Sequence, residues 1–317
     1  MPTSKSADTI LLTMGEPAGV GPEVAVRAYQ MLGGAIGGHP LKLIGDPGVF
    51  AACGAPPEAV IATKARATRT PGKPDRANAA ATIEAIASAV GLAMKGEAAA
   101  LVTAPINKHV LMETGFAFPG HTDFLQALTG APRAVMMLAS EAIRVVPLTV
   151  HIPITKVPGS ITTASIVETA TITLAALKRD FGIAAPRLAV AGLNPHAGED
   201  GDIGRDEIEV IRPAIAQLRA QGHTVIGPLP SDTMFHDEAR TRYDAALCMY
   251  HDQALIPIKT LSFWEGVNVT LGLPIVRTSP DHGTAFEIAG SGKADPRSMI
   301  AAVRMAAAMA DARRSNV

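Results

Sequence analysis

Thr9-Ile10-Leu11-Leu12-Thr13-Met14 runs directly into Gly15-Glu16-Pro17-Ala18-Gly19-Val20-Gly21 and then Pro22, and this stretch decides the fold class. The first six residues have the β-branched and aliphatic character of a strand. The glycine-rich run that follows is a turn, and Pro22 suits the first residue of a helix reaching about Leu32. Strand, tight turn and helix in that order form the repeating unit of an α/β protein with a largely parallel sheet. The pattern continues outward. Leu41–Ile44 and Ala100–Thr103 read as strands, with Ala77–Lys95 an alanine-rich helix between them and Thr68–Asp75 an exposed loop. Further strands are predicted at Ala134–Leu138, Val145–Val150, Arg187–Ala191, Ala245–Met249, Val267–Thr270 and Ile275–Thr278. Ser165 with Glu168 is a capping box for a helix ending near Phe181, and Asp295-Pro296 opens a final helix from Arg297 to about Arg313.

Composition narrows the function. The 317 residues suggest about two domains. A net charge of −1 with scattered basic residues gives no field for nucleic acid or anionic lipid. No uninterrupted apolar run reaches the roughly 18 residues that span a bilayer. Met1 to Asp8 is short and polar and lacks a signal-peptide pattern. Cys53 and Cys248 read as buried free thiols rather than a disulfide, so a cytoplasmic location is expected.

Polar residues fall just past apolar strands: Asn107-Lys108, His151, Asn194-Pro195-His196, His251-Asp252-Gln253 and Arg277-Thr278. Open α/β sheets bind ligands at the carboxyl ends of their strands, so five such ends suggest an active-site crevice. His151, His196 and His251 have two readings, hydrogen-bonded loop histidines or a three-imidazole metal site with an open position. Arg277 is a phosphate or carboxylate clamp or a surface ion pair, and Lys259 a phosphate ligand, proton carrier or ion pair. Asn268 is an amide of the same group. His121-Thr122 either contacts substrate or caps a helix, and Asp232 is a general base, a histidine orienter or a turn residue. The Gly15–Gly21 run fails the dinucleotide pattern G-x-G-x-x-G, leaving a packing turn and a ligand role both open. In Asp281-His282-Gly283-Thr284-Ala285 small residues would let backbone approach a cofactor.

Taken together, Gly15–Glu23, Gly120–Phe124, Gly192–Glu199, Tyr250–Gln253, Val267–Pro274 and Arg277–Ala285 resemble the 4-hydroxythreonine-4-phosphate dehydrogenase family over nearly the whole chain. The resemblance implies a two-domain α/β/α fold of the isocitrate/isopropylmalate dehydrogenase type, with the active site in the interdomain cleft and at the interface of a homodimer. The domains are expected at residues 1–116 with 290–317, and at 117–289, the second carrying most metal and substrate residues. It implies NAD and one divalent ion per site (zinc, magnesium or cobalt) held by His151, His196 and His251. His121, Thr122, Lys259, Asn268 and Arg277 would contact substrate, with Lys259 the proton carrier and Asp232 second. The ligands are expected to be divided, His151 and His196 from one subunit and His251 from its twofold mate.

The family reaction oxidises 4-phosphooxy-L-threonine to 2-amino-3-oxo-4-phosphooxybutanoate, which decarboxylates to 3-amino-2-oxopropyl phosphate in pyridoxal 5′-phosphate biosynthesis. Alternatives are oxidation of 4-phospho-threonate or 4-phospho-erythronate, a phosphotransacetylase-like acyl transfer, and a structural-metal protein. His282–Gly290 with Ala294-Asp295-Pro296 is also similar to the adenosine-binding segment of isopropylmalate dehydrogenases. That similarity assigns Gly283, Thr284, Ala285, Glu287 and Asp295 to the cofactor and predicts NAD over NADP, although Glu287 and Asp295 replace the usual Asp and Asn.

Overall fold

The Ile10–Thr13 strand is buried on both faces, as a central parallel strand requires, and Pro22 lies in the first turn of the helix Gly21–Met31. The computed structural model describes residues 8–118 and 120–315; the N-terminal stretch before Asp8 and Pro119 lie outside them. Two compact units emerge, Met1–Ala134 with Val267–Asp311, and Val135–Gly266 with Ala312–Val317.

The first unit holds strands β1 (Ile10–Thr13), β2 (Ala35–Ile36), β3 (His39–Gly45), β4 (Val60–Ala62) and β5 (Ala100–Val102). Its helices are α1 (Gly21–Met31), α2 (Pro47–Ala51), α3 (Ala79–Met94), α4 (Lys108–Met112) and α5 (His121–Thr129). The second unit holds β6 (Val135–Ala139), β7 (Arg144–Pro147), β8 (Arg187–Ala191), β9 (Thr224–Leu229) and β10 (Ala245–Cys248). Its helices are α6 (Val157–Ser160), α7 (Thr163–Asp180), α8 (Arg212–Ala220), α9 (Asp237–Arg240) and α10 (His251–Leu261). The chain then returns to the first unit for β11 (Val267–Leu271), β12 (Val276–Pro280) and most of α11 (Arg297–Ser315).

In the first unit the strand order is β2-β3-β1-β5-β12-β11, with β4 on β3. Pairing is parallel except for the β2–β3 and β11–β12 ladders. Leu11, Ile44, Ile86, Leu101, Phe124 and Leu125 form its core. In the second unit the order is β6-β7-β10-β8-β9, parallel except for β6 against β7. Leu138, Val145, Ala189, Ala246, Cys248 and Ile258 fill that core.

Several expectations shift. The units divide near 134 and 266 rather than 116 and 289. Helix α5 shares the first unit's core through Phe124 and Leu125, and β12 pairs with β5. The α7 capping box lies three residues earlier than expected: Thr162 is the N-cap, with Ser165 answering it. Arg277 and Thr278 are interior to β12 rather than beyond a strand end. The loop around residues 68–75 is not simply exposed, because the Arg69 side chain is only 6% accessible. Strand β9 was missed. The helical stretch Arg76–Met94 is long and apolar enough to cross a membrane, yet Ala81, Thr82, Ala85, Ile86, Ala89 and Val90 are buried in the first unit. Both cysteines are free.

Candidate active site

In the second unit, β7, β10 and β8 are consecutive parallel neighbours, and each is followed by one histidine. His151 follows the end of β7, His196 sits in the turn after β8, and His251 opens α10 after β10. Parallel strands in register deliver their carboxyl ends to the same edge, so the three imidazoles arrive by topology although they are far apart in sequence. The rings of His151 and His251 lie with centroids 5.7 Å apart. Both line a cavity of about 230 Å³ together with Thr149, Ile154, Tyr250 and Asp252. Nδ1 of His251 is 2.7 Å from Asp252 Oδ1, which directs Nε2 to other work.

His151 and His196 both adopt positive φ, 46° and 51°, uncommon for side-chain-bearing residues and frequent at functional positions. His196 begins a left-handed turn through Asp200, with φ of 51°, 54°, 81°, 41° and 51°. The turn is held by a carboxylate that sequence reasoning missed. Glu207 is 1% exposed and accepts from the backbone N–H groups of Leu193 (2.7 Å) and Asn194 (2.8 Å) and from Asn194 Nδ2 (2.9 Å). A Cβ on Gly198 would fall 2.6 Å from Glu207 Oε2, so glycine is needed there on two grounds, φ and space. Gln253 ties the neighbouring ends. Its amide donates to Gly192 O (2.7 Å) and Ser231 Oγ (2.6 Å), and its carbonyl accepts from Met249 N–H (2.6 Å).

Neutral imidazoles are the donor set of divalent zinc and its neighbours, so the chemistry of these residues fits a metal. Among the described residues, however, no group of three or more histidine, cysteine, aspartate or glutamate side chains is gathered closely enough to hold one. The gathered part is the His151–His251 pair, with His196 on the adjoining strand end. Lys259 is half-buried on α10, its Nζ 5.7 Å from the centre of the Phe263 ring. Asp232 is exposed, next to the Ser231 that Gln253 holds.

The first unit carries the other predicted residues. Arg277 is 2% exposed, and its guanidinium meets only hydroxyls: Thr103 Oγ1 at 3.0 and 2.6 Å and Thr270 Oγ1 at 2.8 Å. No carboxylate answers it among the described residues, and burial alone depresses its pKa to about 9. Thr103 and Thr270 were not foreseen, because nothing local marks a hydroxyl that braces a distant arginine. His121 opens α5 with Nε2 buried and unpartnered. Burial, and then the charges of Arg277 and Lys108, hold its pKa well below the usual imidazole value, so it is neutral at pH 7. Asn268 Oδ1 on β11 is also buried without a partner. Thr122 follows His121 on α5, partly accessible. A buried cation with no carboxylate among the described residues, near buried polar atoms with no partner, departs from the usual pairing of buried polar groups.

Gly283 and Glu287 are exposed, Thr284 and Ala285 partly so, and Ala285 has φ 44°. Asp295 is already engaged: it accepts from Arg297 N–H (2.9 Å) and pairs with the Arg297 guanidinium, which lowers its pKa. These bonds place Asp295 at the start of α11.

Histidines at adjoining parallel strand ends of one unit, and in the other an arginine buried with no carboxylate partner among the described residues, are features of an α/β enzyme. The family model for the pyridoxal phosphate biosynthetic protein PdxA matches residues 46–306. A 4-hydroxythreonine-4-phosphate dehydrogenase from Paracoccus denitrificans is 54% identical, covering 96% of this chain and 98% of its own length. The crystal structure of the Klebsiella pneumoniae enzyme of that name superimposes with a TM-score of 0.85 at 36% identity, over 96% of this chain and 99% of the other. A terephthalate 1,2-cis-dihydrodiol dehydrogenase from Burkholderia xenovorans shares the architecture at TM-score 0.67 and 28% identity, covering 95% and 97%. The chain belongs to the PdxA family of 4-hydroxythreonine-4-phosphate dehydrogenases, oxidoreductases of pyridoxal phosphate biosynthesis.

Proposed function

We propose that this chain oxidises 4-phosphooxy-L-threonine with NAD to 2-amino-3-oxo-4-phosphooxybutanoate, which loses carbon dioxide to give 3-amino-2-oxopropyl phosphate. The observation that carries the reading is Arg277, buried with no carboxylate to neutralise it among the described residues. Its fork, braced by Thr103 and Thr270, takes the dianionic phosphate, and Asn268 and Thr122 add polar contacts. His121, held neutral, offers Nε2 as a hydrogen-bonding atom without adding charge. His151, His251 and His196 hold one divalent ion, zinc, magnesium or cobalt. That ion supplies positive charge where negative charge develops during oxidation and decarboxylation. Lys259 is the candidate proton carrier for the substrate hydroxyl, with Asp232 the second. NAD supplies the hydride acceptor, and Gly283, Thr284, Ala285 and Glu287 bind its adenosine half. A carboxylate at Glu287 accepts from the ribose hydroxyls and repels a 2′-phosphate, which favours NAD over NADP.

The working form is a homodimer in the cytoplasm. Ile256, Leu261, Phe263 and Trp264, on and just after α10, are exposed apolar side chains of the kind a second copy covers. The test is turnover with NAD and with NADP across 4-phosphooxy-L-threonine, 4-phospho-threonate and 4-phospho-erythronate. The reading requires the first substrate with NAD to have the highest kcat/KM; a sugar acid ranking first overturns it.

A further inference from the structure

The chain between β12 and α11 is strapped to one face of helix α1. Val20 N–H, at the start of that helix, donates to Thr284 O at 2.9 Å. Glu23 Oε1 accepts from Gly290 N–H at 2.6 Å. Arg27 Nη1 donates to Ala294 O at 2.5 Å and reaches Gly292 O at 3.4 Å. Positions 20, 23 and 27 are spaced by three and four residues, which stacks them along one side of a helix. Three rungs therefore hold the strap along its length.

The middle rung is braced from behind. Arg69, reaching in from the loop before α3, donates through Nη2 to Glu23 Oε1 and through Nη1 to Pro17 O and Gly19 O. The Arg69 and Glu23 side chains are 6% and 13% accessible, so the pair is largely shielded from water. Gly72 N–H closes the same loop onto Ala18 O at 2.8 Å. The fit leaves no slack. A Cβ on Gly19 would lie 2.8 Å from Thr284 O, and one on Gly290 would lie 2.7 Å from Pro71 Cβ. The opposite side of the strap is open: His282, Gly283 and Glu287 are exposed, and nothing lies within 4 Å of a Cβ built on Gly283. Gly19 in the run after β1 is thus part of the seat of the strap, while Gly15 and Gly21 pack against Ala104 and Pro105.

We infer that Glu23 and Arg69 are positioning residues for cofactor binding, setting the path of the 283–290 segment and hence dinucleotide affinity without touching the dinucleotide. The inference rests on the proposed assignment of that segment to NAD. Glu23 aligns Gly290 N–H, and Arg69 fixes the Glu23 carboxylate in place. Losing the anchor forces the segment to be ordered at the expense of binding, a cost borne by NAD and not by the phosphorylated substrate.

The test uses the full chain and measures NAD dissociation by calorimetry, with steady-state kinetics alongside. Glu23→Ala should raise Kd and KM for NAD about tenfold or more, the worth of one charge-assisted hydrogen bond. The substrate KM and kcat at saturating NAD should stay within about twofold. Glu23→Gln keeps an acceptor for Gly290 N–H and should restore part of the affinity; it also serves should the alanine variant not fold. Gly283→Val places a side chain on the open side and reports on the segment itself. If Gly283→Val weakens NAD while folded Glu23→Ala and Glu23→Gln both leave Kd unchanged, the positioning inference is wrong and the cofactor assignment stands. If Gly283→Val leaves NAD affinity intact, the assignment fails and the inference falls with it.

Discussion

In the proposed reaction Arg277 is the residue that holds the substrate phosphate. A fully desolvated guanidinium without an acid costs the protein several kcal/mol that an opposing anion returns. Arg277→Met, similar in volume and free of charge, should raise the melting temperature of the ligand-free protein and remove any stabilisation by 4-phosphooxy-L-threonine. Truncation of an arginine facing a desolvated anion costs about 2–5 kcal/mol, so discrimination between phosphorylated and unphosphorylated substrate should fall accordingly in kcat/KM. An unchanged ratio would place the phosphate elsewhere. Sequence reading singled out this arginine but put it past a strand end, where ion pairing was an open alternative. Its position inside β12, and the two threonines that brace it, come from β5 and β11, partners that no local pattern names. The histidines were legible because each interrupts the end of an apolar run. Glu207 was not, since a buried acid and a solvated helix-start glutamate look alike in sequence.

At the scale of elements, the order β7-β10-β8 brings the strand ends that carry three distant histidines to one edge and pairs His151 with His251, and the turn after β8 sets where the third one stands. Left-handed backbone costs L-residues roughly 1–2 kcal/mol each, so the His196–Asp200 turn persists only while something holds it. Glu207 anchors the backbone that leads into it, at Leu193 and Asn194. Glu207→Ala would strand the N–H groups of Leu193 and Asn194 and should destabilise the protein by about 2–4 kcal/mol. That corresponds to roughly 3–6 °C in melting temperature for a chain of this size. Cobalt affinity, read from its visible absorption, should fall as well, because His196 would lose its fixed placement. Wild-type stability and cobalt affinity in Glu207→Ala would show that the turn holds itself. The strand–turn–helix rhythm was readable wherever a strand was wholly apolar. It failed at β9, where Gly227 and Pro228 interrupt the run, and at α7, where Thr162 competes with Ser165 for the cap.

At the scale of the whole molecule, fold class and family were legible because the marking residues cluster in short contiguous runs. The unit boundaries were not, because they depend on which sheet the returning strands β11 and β12 join. The proposed homodimer raises the question of which protomer supplies each histidine, and the family resemblance divides them, His151 and His196 from one protomer and His251 from its twofold mate. Co-refolding His151→Ala with His251→Ala should then give mixed dimers with one intact site, and about a quarter of wild-type activity should return. Mixed dimers verified by differential tagging that stay inactive would contradict this division. The most direct measurement for the account as a whole is NADH formation from 4-phosphooxy-L-threonine by protein stripped of metal, then resupplied with zinc, magnesium or cobalt, with the product identified by mass. The account predicts no turnover after stripping, and recovery with a divalent ion accompanied by 3-amino-2-oxopropyl phosphate and carbon dioxide. Full turnover by verified metal-free protein, or NADH formed without loss of carbon dioxide, would contradict it.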